Sequence, residues 1–246
     1  MSTWQCLHCL MIRNNRWPDH ACRDCPYRCN RRQCYLHQAS GSAVSVVALV
    51  LAAGSGRRFG ADKRRATLAD GRSLLAHSVE RARAVFDDVR VVLRAGEWSE
   101  DFGLPADCRI IVSPDAASGM GHSLAAGARS LGDSQAQAVA ILLGDMPWIE
   151  AASLRRLAEA ASASKIVLPR HAGQQGHPVI FGRDFWPALG QLAGDEGARA
   201  VVRAQRDCCV VVEVEDAGVL LDVDTPQGLP PPHPGLTPPI HPTKGP

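Results

Sequence analysis

The sequence predicts an α/β fold of three layers: a mostly parallel sheet with helices packed on both faces. Three observations predict it. Two runs, Val44–Leu51 and Ala138–Leu143, are apolar without alternation, as central parallel strands must be when both faces are covered. Segments of helical period alternate with short apolar runs along the chain, which is the rhythm of βαβ units. The first apolar run also ends in a turn rich in glycine and basic residues, Ala52-Ala-Gly-Ser-Gly-Arg-Arg-Phe-Gly-Ala-Asp-Lys63. Ligands of α/β sheets bind at the carboxyl ends of strands, where this turn lies.

The remaining elements follow in order. Ser73–Ala84 reads as a helix with Leu75, Val79 and Ala82 on one stripe. Val89–Leu93 and Arg109–Val112 read as short strands, and Gly121–Leu131 as a helix opening from a glycine-rich turn. After the strand Ala138–Leu143 come a helix over Ala151–Ala163 and a strand over Lys165–Leu168.

The chain has 246 residues, 46% of them hydrophobic, enough for one core domain of about 190 residues with an extension at each end. The domain is assigned to residues 44–229. Residues 1–43 hold Cys6, Cys9, Cys22, Cys25, Cys29 and Cys34, six of the nine cysteines, with more arginine than acid. Residues 230–246 are proline-dense and read as a disordered tail. No run approaches a membrane span and no signal-peptide pattern opens the chain. A net charge of +2 is too small to argue for nucleic acid or a membrane surface. Cysteine-rich sequence without a secretion signal points to a reducing compartment, and the cytoplasm is the expected location.

The glycine turn is a candidate phosphate cradle, because glycine lets backbone N–H groups approach a ligand and Arg57, Arg58 and Lys63 add positive charge. It is not a Walker A loop, whose lysine directly follows the second glycine. Nor is it a dinucleotide fingerprint: position 59 is Phe, and the next strand, Val89–Arg94, ends in arginine rather than an acid. Asp145 follows the second apolar strand within Leu143-Gly-Asp-Met-Pro147, beside the glycine turn. On its own it fits a turn or cap as well as a metal ligand. Asp222 and Asp224, in Leu221-Asp-Val-Asp-Thr-Pro226, alternate as on a strand end and would point to one face.

The pattern L-A-A-G-x-G-x-R-[MF]-G-x-x-K over Leu51–Lys63 resembles the nucleotide-binding loop of MobA-like nucleotidyltransferases, most closely the molybdenum cofactor cytidylyltransferases. Four further stretches resemble that family in the same order: Ser118-Gly-Met-Gly-His-Ser-Leu124, Leu143-Gly-Asp-Met-Pro147, Gly173-Gln-Gln-Gly-His-Pro-Val-Ile-Phe181 with Gly194-Asp-Glu-Gly-Ala-Arg199, and Leu221–Pro226. The resemblance spans about residues 44–229. It implies a Rossmann-like, nucleotide-diphospho-sugar-transferase-like fold. It also implies transfer of CMP from CTP to the terminal phosphate of molybdopterin, with release of pyrophosphate.

By that resemblance the nucleotide lies on Leu51, Ala52, Ala53, Gly54, Gly56, Arg58, Lys63, Gly119, Gly121 and Ser123. Arg58, Lys63 and Asp145 serve catalysis. Asp145 and Asp224 hold Mg²⁺ with Asp222 in support, and His177 and Arg199 face the acceptor. Ala53, where guanylyl-transferring relatives usually carry glycine, leans the reading toward CTP. Arg64 and Arg65, where relatives usually have apolar residues, are expected to add charge at the rim. Asp195 and Arg199 are expected to pair. A molybdoenzyme or its chaperone would receive the product. Two other readings stay open: a transferase of the same fold acting on a sugar phosphate, methylerythritol phosphate or a phospholactate-type acceptor, and a non-catalytic nucleotide-binding protein.

Cys6-x₂-Cys9 and Cys22-x₂-Cys25 have the spacing of two chelating knuckles of a structural Zn²⁺ site. Cys29 and Cys34 exceed a four-ligand set, and an iron–sulfur cluster fits as well. Because the resemblance begins near Val44, a start assigned too far upstream is the competing explanation of this segment.

Overall fold

The structure is a computed structural model, and it describes residues 44–54 and 62–223. The strands are β1 (Val46–Leu51), β2 (Val89–Arg94), β3 (Arg109–Ser113), β4 (Ala138–Leu143), β5 (Ile166–His171), β6 (Gln174–Gln175), β7 (Val179–Gly182) and β8 (Cys209–Glu213). The helices are α1 (Leu74–Arg83), α2 (Met120–Arg129), α3 (Ala151–Glu159), α4 (Trp186–Leu189) and α5 (Arg199–Ala204). The sheet runs β3-β2-β1-β4-β7-β5, with β8 also on β5. β1 pairs in parallel with β2 and β4, as does β2 with β3 and β5 with β8. β7 is antiparallel to both β4 and β5. The expected mostly parallel, three-layer α/β fold is therefore the one observed.

Alternation along β1 builds the layers. Ala48 and Val50 pack with Leu75 and Val79 of α1 and Leu154 and Leu157 of α3. Val47 and Leu49 point the other way, to Leu124 of α2 and Trp186 and Leu189 of α4. Leu49 is fully buried, a burial that contributes about 1.5–3 kcal/mol. α1 begins where Ser73 caps it, its Oγ accepting from Ala76 N–H at 3.0 Å and donating to Phe102 O at 2.5 Å. Among the described residues no helix is long and apolar enough to cross a membrane.

Four local expectations change. The helix expected to reach Ala163 stops at Glu159, because the following turn serves β7: Ala163 O accepts from Asp184 N–H and Lys165 O from Gly182 N–H, at 3.0 and 2.8 Å. α2 ends at Arg129 and tightens into a 3-10 turn, Ser130–Asp133. Gln174–Gln175, Val179–Gly182 and Cys209–Glu213 are strands that periodicity did not reveal. Leu221–Val223 is not a strand end: it follows a 3-10 turn, Ala217–Leu220, and has no ladder of its own. Alternation along a strand therefore does not set the direction of Asp222.

Candidate active site

A cleft of about 670 Å³ opens at the carboxyl ends of β1 and β4. Its walls carry Leu51–Gly54 and Lys63 on one side, Gly144, Asp145 and Asp222 on another, and Gly119, Met120, Ser123 and Asp195 on a third. Gly144 brings the first two together. Its N–H donates to Leu51 O at 2.9 Å. A Cβ there would lie 2.9 Å from Leu75 Cδ1 and 3.1 Å from Ala52 Cβ. A side chain here would have to displace Leu75, so glycine eases the close approach of the turn after β4 to β1, which brings Asp145 to the cleft.

Asp145 Oδ2 lies 2.6 Å from Lys63 Nζ. Its Oδ1 is buried and has no hydrogen-bond partner among the described residues. A buried carboxylate oxygen without a donor costs about 1–3 kcal/mol or more, so this atom is open to a donor or a cation. The backbone carbonyl of Asp145 accepts from Val223 N–H at 3.0 Å, which brings Asp222 to the cleft edge. One orphaned carboxylate oxygen beside a second carboxylate fits a hard divalent cation, which takes one or two protein carboxylates and completes its shell with phosphate and water. No cluster of three or more ligating side chains occurs among the described residues.

Arg64 is not at the rim. Its side chain is only 4% exposed. Nε donates to Asp62 Oδ1 at 2.8 Å and Nη2 to Asp62 Oδ2 at 2.6 Å. Nη1 reaches Ala52 O at 2.5 Å and Glu97 Oε2 at 2.8 Å, and Nη2 also meets Glu97 Oε1. The Phe102 ring lies 4.6 Å from its Cζ. Burial opposes the charge on Arg64, but its hydrogen bonds to Glu97 and Asp62 outweigh that and raise the guanidinium pKa further. For Asp62 and Glu97 burial likewise pushes upward, and bonding to Arg64 overrides it, so both carboxyls sit below their ordinary values. Arg94, at the end of β2, donates from Nε to Ala53 O at 3.0 Å and from Nη2 to Gly54 O. This cluster escaped sequence reading. Its one signal was the arginine standing where a dinucleotide site would carry an acid.

The glycines opening α2 serve a close approach between segments. Gly119 has φ +126°, and a Cβ there would lie 2.4 Å from Gly194 C and O. The N–H of Gly121 donates to Gly194 O at 2.7 Å, so it is not open to a ligand. Ser123 is buried, its Oγ 3.4 Å from Ser113 Oγ. The expected Asp195–Arg199 pair does not form: both side chains are exposed, no ion pair joins them, and Asp195 Oδ1 lies against Gly119 instead. His177 and Arg199 do not line this cleft. His177 donates its backbone N–H to Val219 O at 2.8 Å, and its Nδ1 is buried without a partner among the described residues. Burial lowers its pKa, Asp145 and Asp222 pull it up and Arg199 pulls it down. The net result is a neutral imidazole near neutral pH, within electrostatic reach of the cleft carboxylates. Gly56, Arg58, Asp224 and the cysteines Cys6, Cys9, Cys22 and Cys25 lie outside the described residues.

The layered, mostly parallel sheet is that of a nucleotidyltransferase fold. The chain belongs to the MobA-like NTP transferase domain family, whose profile matches residues 48–209. It is 32% identical over 192 residues to the purine catabolism protein PucB of Bacillus subtilis, covering 74% of this chain and 93% of PucB. It is 28% identical to the molybdenum cofactor cytidylyltransferase of Escherichia coli, covering 72% of this chain and 90% of that enzyme. Among solved structures, that of Rv0371c from Mycobacterium tuberculosis in complex with manganese superposes with a TM-score of 0.62 at 28% identity, covering 75% of this chain and 95% of that one.

Proposed function

We propose that the protein is a divalent-metal-dependent cytidylyltransferase that moves CMP from CTP to the terminal phosphate of molybdopterin. The observation that carries this reading is the Asp145 carboxylate, with Oδ2 on Lys63 and Oδ1 buried and unpartnered in the cleft. In the reaction, an oxygen of the acceptor phosphate attacks the α-phosphorus of CTP, and the bond from that phosphorus to the β-phosphate oxygen breaks to release pyrophosphate. No protein nucleophile is required, so the chain contributes position and charge.

Lys63, with Arg58, neutralises charge on the triphosphate, and the backbone from Leu51 through Gly56 supports the phosphates. Mg²⁺ or Mn²⁺, held by Asp145 and Asp224 with Asp222 in support, would withdraw charge from the phosphate oxygens. Gly119 and Ser123 border the base, and Ala53 supports cytosine over guanine. In this reading the acceptor extends beyond the described cleft lining toward His177, which, neutral, offers hydrogen bonds rather than a charge, and toward Arg199, which supplies the cation. The reading includes a cytoplasmic location, hand-over to a molybdoenzyme or its chaperone, and a domain spanning residues 44–229. Similarity to the manganese-bound mycobacterial protein supports the metal, and similarity to the E. coli cytidylyltransferase supports the acceptor. The higher identity to PucB favours, as second reading, the same transfer to a different phosphorylated acceptor.

Pyrophosphate release, measured with each of the four nucleoside triphosphates, with and without molybdopterin, tests the proposal. Release is expected only with CTP, molybdopterin and Mg²⁺ or Mn²⁺ together, and chelation by EDTA should stop it. Release that ignores molybdopterin but follows another acceptor would move the assignment to the second reading.

A further inference from the structure

Arg64, Arg94 and Glu97 have no part in the chemistry above, although both arginines line the cleft. Three successive carbonyls leaving β1 each meet a guanidinium: Ala52 O meets Arg64, and Ala53 O and Gly54 O meet Arg94. A trans peptide is planar, so fixing its C=O also fixes the following N–H on the opposite side. The N–H groups of Ala53 and Gly54 are thus held in set directions. All five donors of Arg64 are committed to protein acceptors, Asp62, Glu97 and Ala52, and none is left for a phosphate.

Glu97 joins the two arginines, because its Oε2 also accepts from Arg94 N–H at 3.0 Å. Asp62 joins the cluster to Lys63: its side chain caps the short turn Lys63–Arg65 by accepting from Arg64 N–H. A buried ion pair adds little net stability over an apolar pair of the same volume. A bidentate guanidinium–carboxylate pair does impose direction.

We propose that Arg64 and Glu97 are positioning residues for triphosphate binding. With Arg94 and Asp62 they preset the peptide planes of Ala52–Gly54 and the turn that carries Lys63. The inference rests on the nucleotidyltransferase reading of the same cleft. Preorganisation of this kind strengthens binding by removing an ordering cost. Its loss should raise KM for the triphosphate and spare kcat.

The test uses the full-length protein and three variants: Arg64→Met/Glu97→Met, which removes both charges and keeps the interior filled; Arg64→Lys, which keeps the charge but loses the fork; and Glu97→Gln, which keeps the shape. Amide hydrogen exchange over residues 52–54 without ligand reports preorganisation directly. Calorimetric Kd for CTP with Mg²⁺ reports binding without needing turnover. Faster exchange at Ala53 and Gly54 is expected in the double variant and in Arg64→Lys. Kd and KM should rise about tenfold or more, with kcat within about threefold of wild type, and Glu97→Gln should fall between. Unchanged exchange in the double variant would overturn the inference. So would faster exchange with an unchanged Kd, or an Arg64→Lys variant with wild-type Kd. A wild-type protein that releases no pyrophosphate from any triphosphate refutes the proposed function instead, and exchange and Kd still decide the positioning role.

Discussion

Two of the three sides of the cleft are held by opposite means. On the β1 side, buried charge does the holding: Arg64 and Arg94 fasten the carbonyls of Ala52, Ala53 and Gly54, and Asp62 and Glu97 fasten Arg64. On the far side, shape does it. Gly119 and Gly121 meet Ala193 and Gly194 so closely that a Cβ on either would lie within 2.4–2.6 Å of backbone atoms. Away from the cleft lining, Gly176 and Gly218 are equally tight: an added Cβ would lie 2.2 Å from Val219 O and 2.4 Å from Trp148 O. A charged wall fixes orientation and is sensitive to pH and to neutralisation. A wall of backbone contacts is indifferent to pH and intolerant of one methyl group.

Asp145 stands between the two, with its carboxylate on Lys63 of the charged side and its carbonyl on Val223 N–H beside Asp222. Asp145→Asn should therefore have the largest effect, a loss of turnover of about 10³-fold or more with the melting temperature little changed. Turnover above a tenth of wild type would remove Asp145 from the centre. Next comes the shape wall. Gly119→Ala puts a methyl 2.4 Å from Gly194 at φ +126° and should cost about 3 kcal/mol or more in urea unfolding. A loss under about 1 kcal/mol would show that the turn at Gly194 yields freely.

The charged wall should fail first in acid. Asp62 and Glu97 have folded pKa values below the ordinary 3.8 and 4.5, so the stability they contribute is complete above those ordinary values. It is lost as pH falls through the lowered ones. Melting temperature followed down from about pH 6 should hold until about pH 4.5 and then fall, and Glu97→Gln should flatten the fall. Gly119→Ala should shift that curve down without changing its slope; a changed slope would show that the two walls are coupled. The smallest effect belongs to neither wall. Ala172, at φ +47° in the two-residue turn between β5 and β6, occupies a left-handed conformation that asparagine tolerates better. Ala172→Asn should stabilise by about 0.5–1 kcal/mol with no change in turnover.

Much of the fold was legible because it is written locally. Unbroken apolar runs mark β1 and β4, the stripe of Leu75, Val79 and Ala82 marks α1, and glycine marks the turn after β1. The candidate site was legible where short motifs sit directly behind those strands, as Lys63 and Asp145 do. It was not legible in Arg64, read as rim charge and found buried, because its acceptors Ala52 and Glu97 lie 12 and 33 positions away. The antiparallel β7 was hidden because strand direction depends on which neighbours it finds. The arrest of α3 at Glu159 was hidden for the same reason, its turn being shaped by contact with β7.

By itself, then, the sequence determined the layered α/β architecture, the loop after β1 and the residue types available to it, since periodicity and glycine placement act over a few residues. Only the tertiary structure decided which charges are spent inside the protein and which face the cleft. Arg64 has its donors taken up internally, Asp145 retains an oxygen without a partner among the described residues, and Gly121 has its N–H occupied by Gly194. The physical reason is that a charge or a donor is committed only when a distant segment arrives to meet it, and that meeting is made by packing.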